Sequence, residues 1–445
     1  MANWEFPCEL ALWISTLAKP LHGRLSWRLA PLLMGVLFAQ GRRTVASWLR
    51  AAGLSDDFRH YYYFLGSLGR KVDWVAGRLL SLVRERLPQG DHILLAIDDS
   101  PTKRFGPKVE GAGVHHNPTP GPADGKFLYG HVWVTLAWIA KHRHWGSIAL
   151  PLLARLYVRA KDIAKIVPWY DWTFQTKLQQ AAELVEWAVY GLSWTGKQIW
   201  VAVDGAYAKR PFLKRALAAG VVVFSRLRKD AALCDLPPQL KPGERRGRGK
   251  PRKYGVNRIS LAKRAAQKRG WQTDEFTLRG EQVQKTFKTF LATYRPVGGT
   301  IRVVIVQEED GWVPFFCTNP HATVAEILEA VTDRWPIEQA FHDVKEVHGA
   351  GQQQVRNLWA NIAVFHLTLW MHTLIELWAW DKSHAQLCDR TASPWDDPTR
   401  RPSHADRRNA LRRCCLRAEF SRLLAVRPTK RKIKQLLQRL TALVM

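Results

Sequence analysis

The chain has 445 residues, which is enough for two or three domains with a sizeable core. Its 67 Lys and Arg against 38 Asp and Glu leave a net charge of +29, which indicates a polyanionic partner before a membrane surface. The six cysteines form no Cys-x-x-Cys pair, so the sequence argues against a zinc or disulfide framework and predicts reduced thiols in a cytoplasmic protein.

Residues 1–90 carry apolar side chains at spacings of three and four, which predicts an N-terminal helical domain. Basic residues surround a candidate helix cap, Thr44, in the stretch 41–50. This stretch fits either a helix-turn-helix that lays one helix in a DNA groove or an ordinary helical bundle, and the sequence leaves the two open. We expect this domain to bind DNA.

Two short apolar runs each end in acidic residues. Residues 92–97 lead into Asp98 and Asp99, and residues 198–203 lead into Asp204. Such runs predict buried strands that end at the acids. Carboxylates that follow the carboxyl ends of neighbouring strands converge at one edge of an open α/β sheet, so we expect acids of the two strands to meet.

Basic residues cluster in two segments that lack the apolar positions needed for packing. One directly follows the first pair of acids, and the other is the cationic run 244–253. Runs of this density contact phosphate at least as often as they form a solvated loop. The residues predicted to bind DNA here are Lys103, Arg104, Arg246, Arg248 and Lys250.

The rest of the chain divides by composition. Residues 91–227 and 320–380 alternate strand and helix patterns, whereas residues 228–319 are basic and contain strand-like pieces, which predicts a β-rich insertion. Residues 381–445 are predicted to be a linker and a helical tail. The apolar segment Ile362–Trp380 is long enough to span a membrane, but it holds two histidines and a glutamate, which favours a buried core helix.

In the stretch 333–345, which also contains Asp333 and Asp343, Glu338 lies among basic and aromatic residues. At about 100° per residue, Glu338 and Lys345 lie about 20° apart on one helical face. Pro336 fits the first position of this helix or a kink in a longer one. Taken alone, a Glu and a Lys at this spacing more often form a solvated ion pair. Whether Glu338 belongs to a functional site therefore depends on acids earlier in the chain.

Three acids together predict a metal site: Asp99 or its neighbour Asp98, then Asp204, then Glu338. Three hard oxygen ligands without His or Cys suit Mg²⁺ or Mn²⁺ and not zinc. Two such ions about 3.5–4 Å apart can activate a water and stabilise the leaving oxygen of a phosphodiester. The positive charge of the chain is suited to position such a substrate.

The stretch around Glu338 resembles the C-terminal signature of DDE-type insertion-sequence transposases, in the branch marked by Tyr-x2-Arg-x3-Glu-x6-Lys. Arg334, Glu338 and Lys345 match this signature with its spacing. Val331 stands where the family has its tyrosine, so any contact of that hydroxyl with a DNA phosphate is missing here.

The two acidic strand ends resemble the family's first and second catalytic strands. The alignment favours Asp99 as the first acid, with Asp98 as its competitor, and Asp204 as the second. The resemblance implies an RNase H-like mixed sheet flanked by helices and interrupted by the β-rich insertion. It also implies that two Mg²⁺ or Mn²⁺ ions bind the three acids and that Arg334 and Lys345 hold phosphates.

The resemblance further implies a cut-and-paste transposase. Such a protein binds double-stranded DNA at the terminal inverted repeats, works as a homodimer, cleaves with water, and joins the freed 3′-hydroxyl to target DNA. Trp312 is the first candidate for a base contact from the insertion and Trp271 the next, although packing is the commoner role of such residues. Two alternatives remain open: a catalytically silent domesticated DNA-binding protein, and a structure-selective nuclease on the same core.

Overall fold

The structure is a computed structural model that describes residues 6–54, 56, 58–88, 90–117, 120, 125–238, 250, 252–391, 394–423, 429–434 and 436–437. Its N-terminal part is helical, as predicted. The helices are α1 (Cys8–Ala18), α2 (Gly23–Ser26), α3 (Leu29–Phe38), α4 (Val45–Ala51), α5 (Arg59–Gly69) and α6 (Val72–Arg86). Thr44 caps α4, because its hydroxyl accepts a hydrogen bond from the backbone N–H of Ser47.

A mixed sheet of twelve strands continues through the described residues. The strands are β1 (His92–Lys103), β2 (Gly113–His116), β3 (Phe127–His142), β4 (Gly146–Tyr157), β5 (Gln198–Val203), β6 (Val222–Arg226), β7 (Leu233–Cys234), β8 (Arg258–Ile259), β9 (Gln272–Leu278), β10 (Glu281–Tyr294), β11 (Gly299–Glu308) and β12 (Gly311–Cys317). Their order is β2-β3-β1-β5-β6-β12-β11-β10-β7-β8, with β4 paired to β3 and β9 paired to β10. β1 runs parallel to β5 and antiparallel to β3.

Helices cover both faces of this sheet. The remaining ones are α7 (Lys177–Leu192), α8 (Arg210–Ala218), α9 (Leu261–Ala266), α10 (Val324–Thr332), α11 (Pro336–Glu346), α12 (Leu358–Ala379), α13 (His384–Leu387) and α14 (His404–Leu423). A large mixed sheet flanked by helices confirms the RNase H-like fold class that the sequence predicts.

Alternate side chains of β1 enter two separate cores, because successive residues of a strand point to opposite faces. Leu95 and Ile97 pack in the core that includes Val185 of α7, on the side called here the α7 face. Leu94 and Ala96 pack in the core that includes Ile337 of α11, on the α11 face. The residue that follows Ile97 therefore continues the α11 face, and the next one continues the α7 face.

The first acidic strand is longer than the sequence predicts. The sequence predicts that this strand ends at Asp98 and Asp99, but β1 continues through both acids and through Pro101 to Lys103. Its pairing with β3 extends over Leu94–Lys103, whereas its pairing with β5 ends at Ile97. Pro101 is tolerated because β1 has only one neighbouring strand at that level.

The insertion at 228–319 is rich in strands, and it continues the catalytic sheet. β12 pairs with β6 through Phe316 and Ser225, so β12, β11 and β10 extend the sheet without a break. The strand-like pieces of the sequence, at 273–279, 301–307 and 313–318, correspond to β9, β11 and β12, but the sequence pattern missed β10, the longest strand of this part. The run from Glu281 to Tyr294 alternates polar and apolar residues weakly, and its Glu and Lys residues are depleted in strands, which weakens the signal.

Helix α12 is the central helix of the core. Of the helices in the described chain, it alone is long and apolar enough to cross a membrane, and 94% of its apolar window is buried inside the protein. This burial agrees with the prediction of a core helix. The N-terminal helices pack directly on it, since a Cβ at Gly69 of α5 would lie 1.9 Å from the carbonyl oxygen of Trp359.

A buried polar network joins α12 to α14. Glu376 is 1% exposed and accepts hydrogen bonds from His404 Nδ1 at 2.6 Å and from the Arg407 guanidinium at 2.5 Å. The second nitrogen of His404 lies 2.8 Å from His348 Nε2. Although burial alone would raise the pKa of Glu376, Arg407 and His404 hold it well below its usual range.

The same network contains a group of potential metal ligands that does not favour a metal site. Donor atoms of Asp343, His372 and His404 lie within 4.8 Å of one another. However, the rings of His372 and His404 stack 4.1 Å apart with an interplanar angle of 18°. One ion cannot lie in the planes of two nearly parallel rings, so this group is a hydrogen-bonded and stacked core.

Acidification is expected to destabilise the fold between about pH 6.5 and 4. Burial lowers the pKa of His366 and His404 to about 4 and that of His131 to about 3, from an ordinary value of 6.5. In this window the unfolded chain binds protons that the folded one excludes, so stability falls as pH falls, by up to about 1.4 kcal/mol per pH unit for each histidine.

Urea unfolding at pH 7, 6 and 5 measures this effect. Constant stability across this range would contradict the prediction.

Candidate active site

The parallel strands β1 and β5 bring the first two acids to one place. Their register pairs Ile97 with Val203, so Asp98 and Asp204 follow at the same level. Both residues continue the α11 face, because Ala96 and Ala202 point into the core on that side. Asp98 is half-buried and Asp204 is exposed, which makes Asp98 the floor of the site.

The third acid comes from α11, which packs on the same face. Ile337, Ala340 and Phe341 bury one side of this helix in the core on the α11 face, and Glu338 remains exposed. Pro336 occupies the first turn, where its missing N–H costs no hydrogen bond, as the sequence predicts. The helix extends to Glu346 and therefore includes Lys345.

Arg334 connects the acids of the strand and the helix. Its guanidinium lies 2.5 Å from Asp98 Oδ2 and 2.7 Å from Glu338 Oε1. Burial would lower the pKa of Arg334, but these two carboxylates outweigh burial and raise it. Arg334 thus supplies the positive charge between the two acids.

The environment of Asp98 raises the pKa of its carboxyl group to about 6. Burial is the main cause, and the negative charges of Asp99 and Asp204 act in the same direction, whereas Arg334 opposes them. A cation bound beside these acids would offset their mutual repulsion, so the site is suited to bind one.

Asp99, the residue that the sequence alignment favours, points to the opposite face of the sheet. Its Oδ2 lies 2.7 Å from Lys177 Nζ at the start of α7, and its Oδ1 accepts a hydrogen bond of 2.8 Å from the Tyr207 hydroxyl. The structure therefore places Asp98, the competitor, with Asp204 and Glu338, and it places Asp99 on the α7 face.

The residues predicted to bind DNA occupy different environments. Lys103 and Lys250 are exposed, and Lys345 is partly buried, which lowers its pKa. Trp312 is partly buried against the core, with Lys229 Nζ 5.0 Å above its ring. Arg246 and Arg248 lie outside the described residues.

Arg104 is a correction to the predicted phosphate contacts. Its side chain is 4% exposed, and its guanidinium donates to the carbonyl oxygens of Gly351 and Gln353 and to His131 Nδ1. Burial lowers its pKa to about 10. Arg104 is thus a core residue that holds the loop after α11 against β1, and it is not accessible to DNA.

Sequence reasoning missed Tyr207 and Lys177. Tyr207 is 2% exposed, and burial together with the nearby acids raises its pKa well above the usual value, so its hydroxyl remains a donor to Asp99. Only the position of Tyr207 three residues after Asp204 could have drawn attention to it. Lys177 carries no sequence signal, because α7 is brought to β1 by the fold.

The donor set of Asp98, Asp204 and Glu338 fits a hard divalent cation. All three donors are carboxylates. The Arg334 guanidinium contacts two of them, Asp98 and Glu338, and supplies there the positive charge that a bound cation would supply. Carboxylates of this kind suit Mg²⁺ or Mn²⁺, and divalent metals are general among DDE endonucleases.

A mixed RNase H-like sheet with two strand carboxylates and one helix carboxylate on a single face is an arrangement suited to metal-assisted phosphodiester cleavage. The sequence model of the DDE superfamily endonucleases matches residues 20–288. Because the match covers more than half of the chain, the protein belongs to this family, and the family supports a nuclease or transposase type of function with DNA as substrate. No curated protein matches the chain.

The matched region includes Asp98, Asp99 and Asp204 and ends before Glu338. The third acid is therefore supported by the geometry of α11 and Arg334, and not by the family match.

Proposed function

We propose that the protein is a DNA transposase that binds the terminal inverted repeats of an insertion sequence, cuts the DNA there and joins it to target DNA by a cut-and-paste route. Asp98, Asp204 and Glu338 are the proposed catalytic acids, with two Mg²⁺ or Mn²⁺ ions as cofactors. The main support is that Arg334 bridges Asp98 and Glu338 on the face that Asp204 also occupies.

The chemistry proceeds by two phosphoryl transfers. When bound, the ions supply Lewis-acid stabilisation of the attacking and leaving oxygens. A water oxygen attacks phosphorus and a phosphorus–oxygen bond breaks, which frees a 3′-hydroxyl. This hydroxyl attacks a phosphodiester of the target, so that one phosphodiester bond forms as another breaks. Arg334 and Lys345 neutralise phosphate charge near the reacting group.

The net charge of +29 supports a long contact with DNA. In the proposed assembly, a homodimer holds two element ends in the cytoplasm, and the exposed Lys103 and Lys250 contact phosphates. Helices α1–α6 are the proposed DNA-binding part of the N-terminal region.

The test uses purified protein and DNA that carries the inverted repeats flanking its own reading frame, with Mg²⁺ or with EDTA. We expect Mg²⁺-dependent cuts at the repeat boundaries, 3′-hydroxyl ends and joined products, and none of these with scrambled repeats. Nicking without joining or repeat preference would instead identify a structure-selective nuclease. Binding without cleavage under any divalent ion would identify a silent DNA-binding protein.

A further inference from the structure

We propose that Asp99, Tyr207 and Lys177 form a clamp on the α7 face that fixes the separation of Asp98 and Asp204 on the α11 face. Tyr207 and Lys177 are then positioning residues, which act through Asp99 and touch neither metal nor DNA. This inference rests on the proposed function of Asp98 and Asp204.

The sheet sets the level of the two acids, but no ladder hydrogen bond joins them to each other. The parallel pairing of β1 with β5 ends at Ile97 and Val203, one residue before each acid. Asp98 and Asp204 carry like charges at the same level, so they repel each other where the hydrogen-bonded ladder has ended. A contact beyond the ladder would help to keep their spacing constant.

Tyr207 belongs to the turn that orients Asp204. The backbone N–H of Tyr207 donates to the carbonyl oxygen of Asp204 at 2.9 Å, and the N–H of Ala206 donates to Asp204 Oδ2 at 3.2 Å. The turn also packs tightly on β6, because a Cβ at Gly205 would lie 3.0 Å from the carbonyl oxygen of Arg226. The turn therefore fixes the direction of the Asp204 carboxylate.

The Tyr207 side chain extends from this turn to the other strand. Its hydroxyl donates to Asp99 Oδ1 at 2.8 Å, and the backbone N–H of Asp99 donates to Asp98 Oδ1, also at 2.8 Å. A continuous chain of hydrogen bonds thus runs from the Asp204 turn through Asp99 to the Asp98 carboxylate.

Lys177 holds the other oxygen of Asp99. Its Nζ lies 2.7 Å from Asp99 Oδ2 and 5.6 Å from the centre of the Tyr157 ring. With both oxygens engaged, the Asp99 side chain has one orientation, and these contacts hold Asp99 beside Asp98, to which its backbone N–H donates. Lys177 also balances the charge of Asp99, which would otherwise add to the repulsion at the site.

The experiment measures Mn²⁺ binding directly, through the electron paramagnetic resonance signal of free Mn²⁺ in the absence of DNA. Tyr207→Phe removes only the hydroxyl, and we expect Mn²⁺ affinity to fall about tenfold or more, as for other residues that orient metal ligands. The Mg²⁺ concentration for half-maximal cleavage should rise in parallel, while affinity for DNA stays constant. Tyr294→Phe, which removes a hydroxyl 3.4 Å from the Ala208 carbonyl oxygen, is the matched control and should bind Mn²⁺ like the wild type.

A second variant tests the clamp at a more exposed position. Lys177→Met should weaken Mn²⁺ binding. Lys177→Arg, which keeps the positive charge, should retain most of the wild-type affinity for Mn²⁺. Wild-type affinity for Mn²⁺ in both Tyr207→Phe and Lys177→Met would overturn the clamp while leaving the proposed function intact. A wild-type protein that neither binds Mn²⁺ nor cleaves DNA would overturn both proposals.

Discussion

Asp98→Asn is expected to lower the rate of Mg²⁺-dependent DNA cleavage by roughly 10²–10³-fold or more, since each group that stabilises transition-state charge contributes on this scale. Asp98 forms the floor of the site, pairs with Arg334 and lies level with Asp204. The amide keeps the shape of the side chain but removes the charge that a divalent cation needs. Single-turnover cleavage of end-bearing DNA measures the effect.

Asp99→Asn is the matched control, one residue away on the same strand. Its carbonyl oxygen still accepts the Tyr207 hydroxyl, so only the ion pair with Lys177 is lost, and we expect a loss of about tenfold. Glu338→Gln should behave like Asp98→Asn. An inactive Asp99→Asn together with an active Asp98→Asn would reverse the assignment of the first acid.

Glu376→Ala is expected to lower the free energy of unfolding by about 3–5 kcal/mol, because it leaves the Arg407 guanidinium buried without its counter-charge. Both oxygens of Glu376 are engaged, by His404 and by Arg407, and the pair joins α12 to α14. Urea unfolding at pH 7 measures the change, with DNA cleavage of the native fraction recorded in parallel.

Two further variants separate the ion pair from general loss of packing. Glu186→Gln breaks a pair with Arg215 that is also close, at 2.6 Å, but exposed, and should cost less than about 1 kcal/mol. Combining Glu376→Gln with Arg407→Met removes both buried charges and should recover part of the stability. If Glu376→Ala lowered the free energy of unfolding no more than Glu186→Gln does, a structural role for the buried pair would be contradicted.

The candidate site was predictable in part from the sequence. Apolar runs located the strands before Asp98 and Asp204, and helical spacing placed Glu338 on a helix that begins with Pro336. The choice between Asp98 and Asp99 was not predictable, because neighbouring residues of a strand differ only in the face they occupy. That face is decided by distant elements, α11 on one side and α7 on the other.

Arg104 and Pro101 show where local reasoning fails. A basic residue beside an acidic strand end predicts phosphate contact, yet the loop around Gly351 buries Arg104 by capturing its guanidinium. Pro101 predicts a turn, yet pairing with β3 keeps it in a strand. In both cases a partner far along the chain outweighs the local preference.

The joining of β12 to β6 has a mechanical consequence for DNA. β10 lies four strands beyond β5 in one continuous sheet, so at about 4.8 Å per strand the two are roughly 19 Å apart, about the length of five to six base pairs. In the proposed transposase, a duplex that contacts the insertion near β10 would therefore be held at a set distance from Asp204. The offset between the gripped bases and the severed bond would then be constant from one element end to the next.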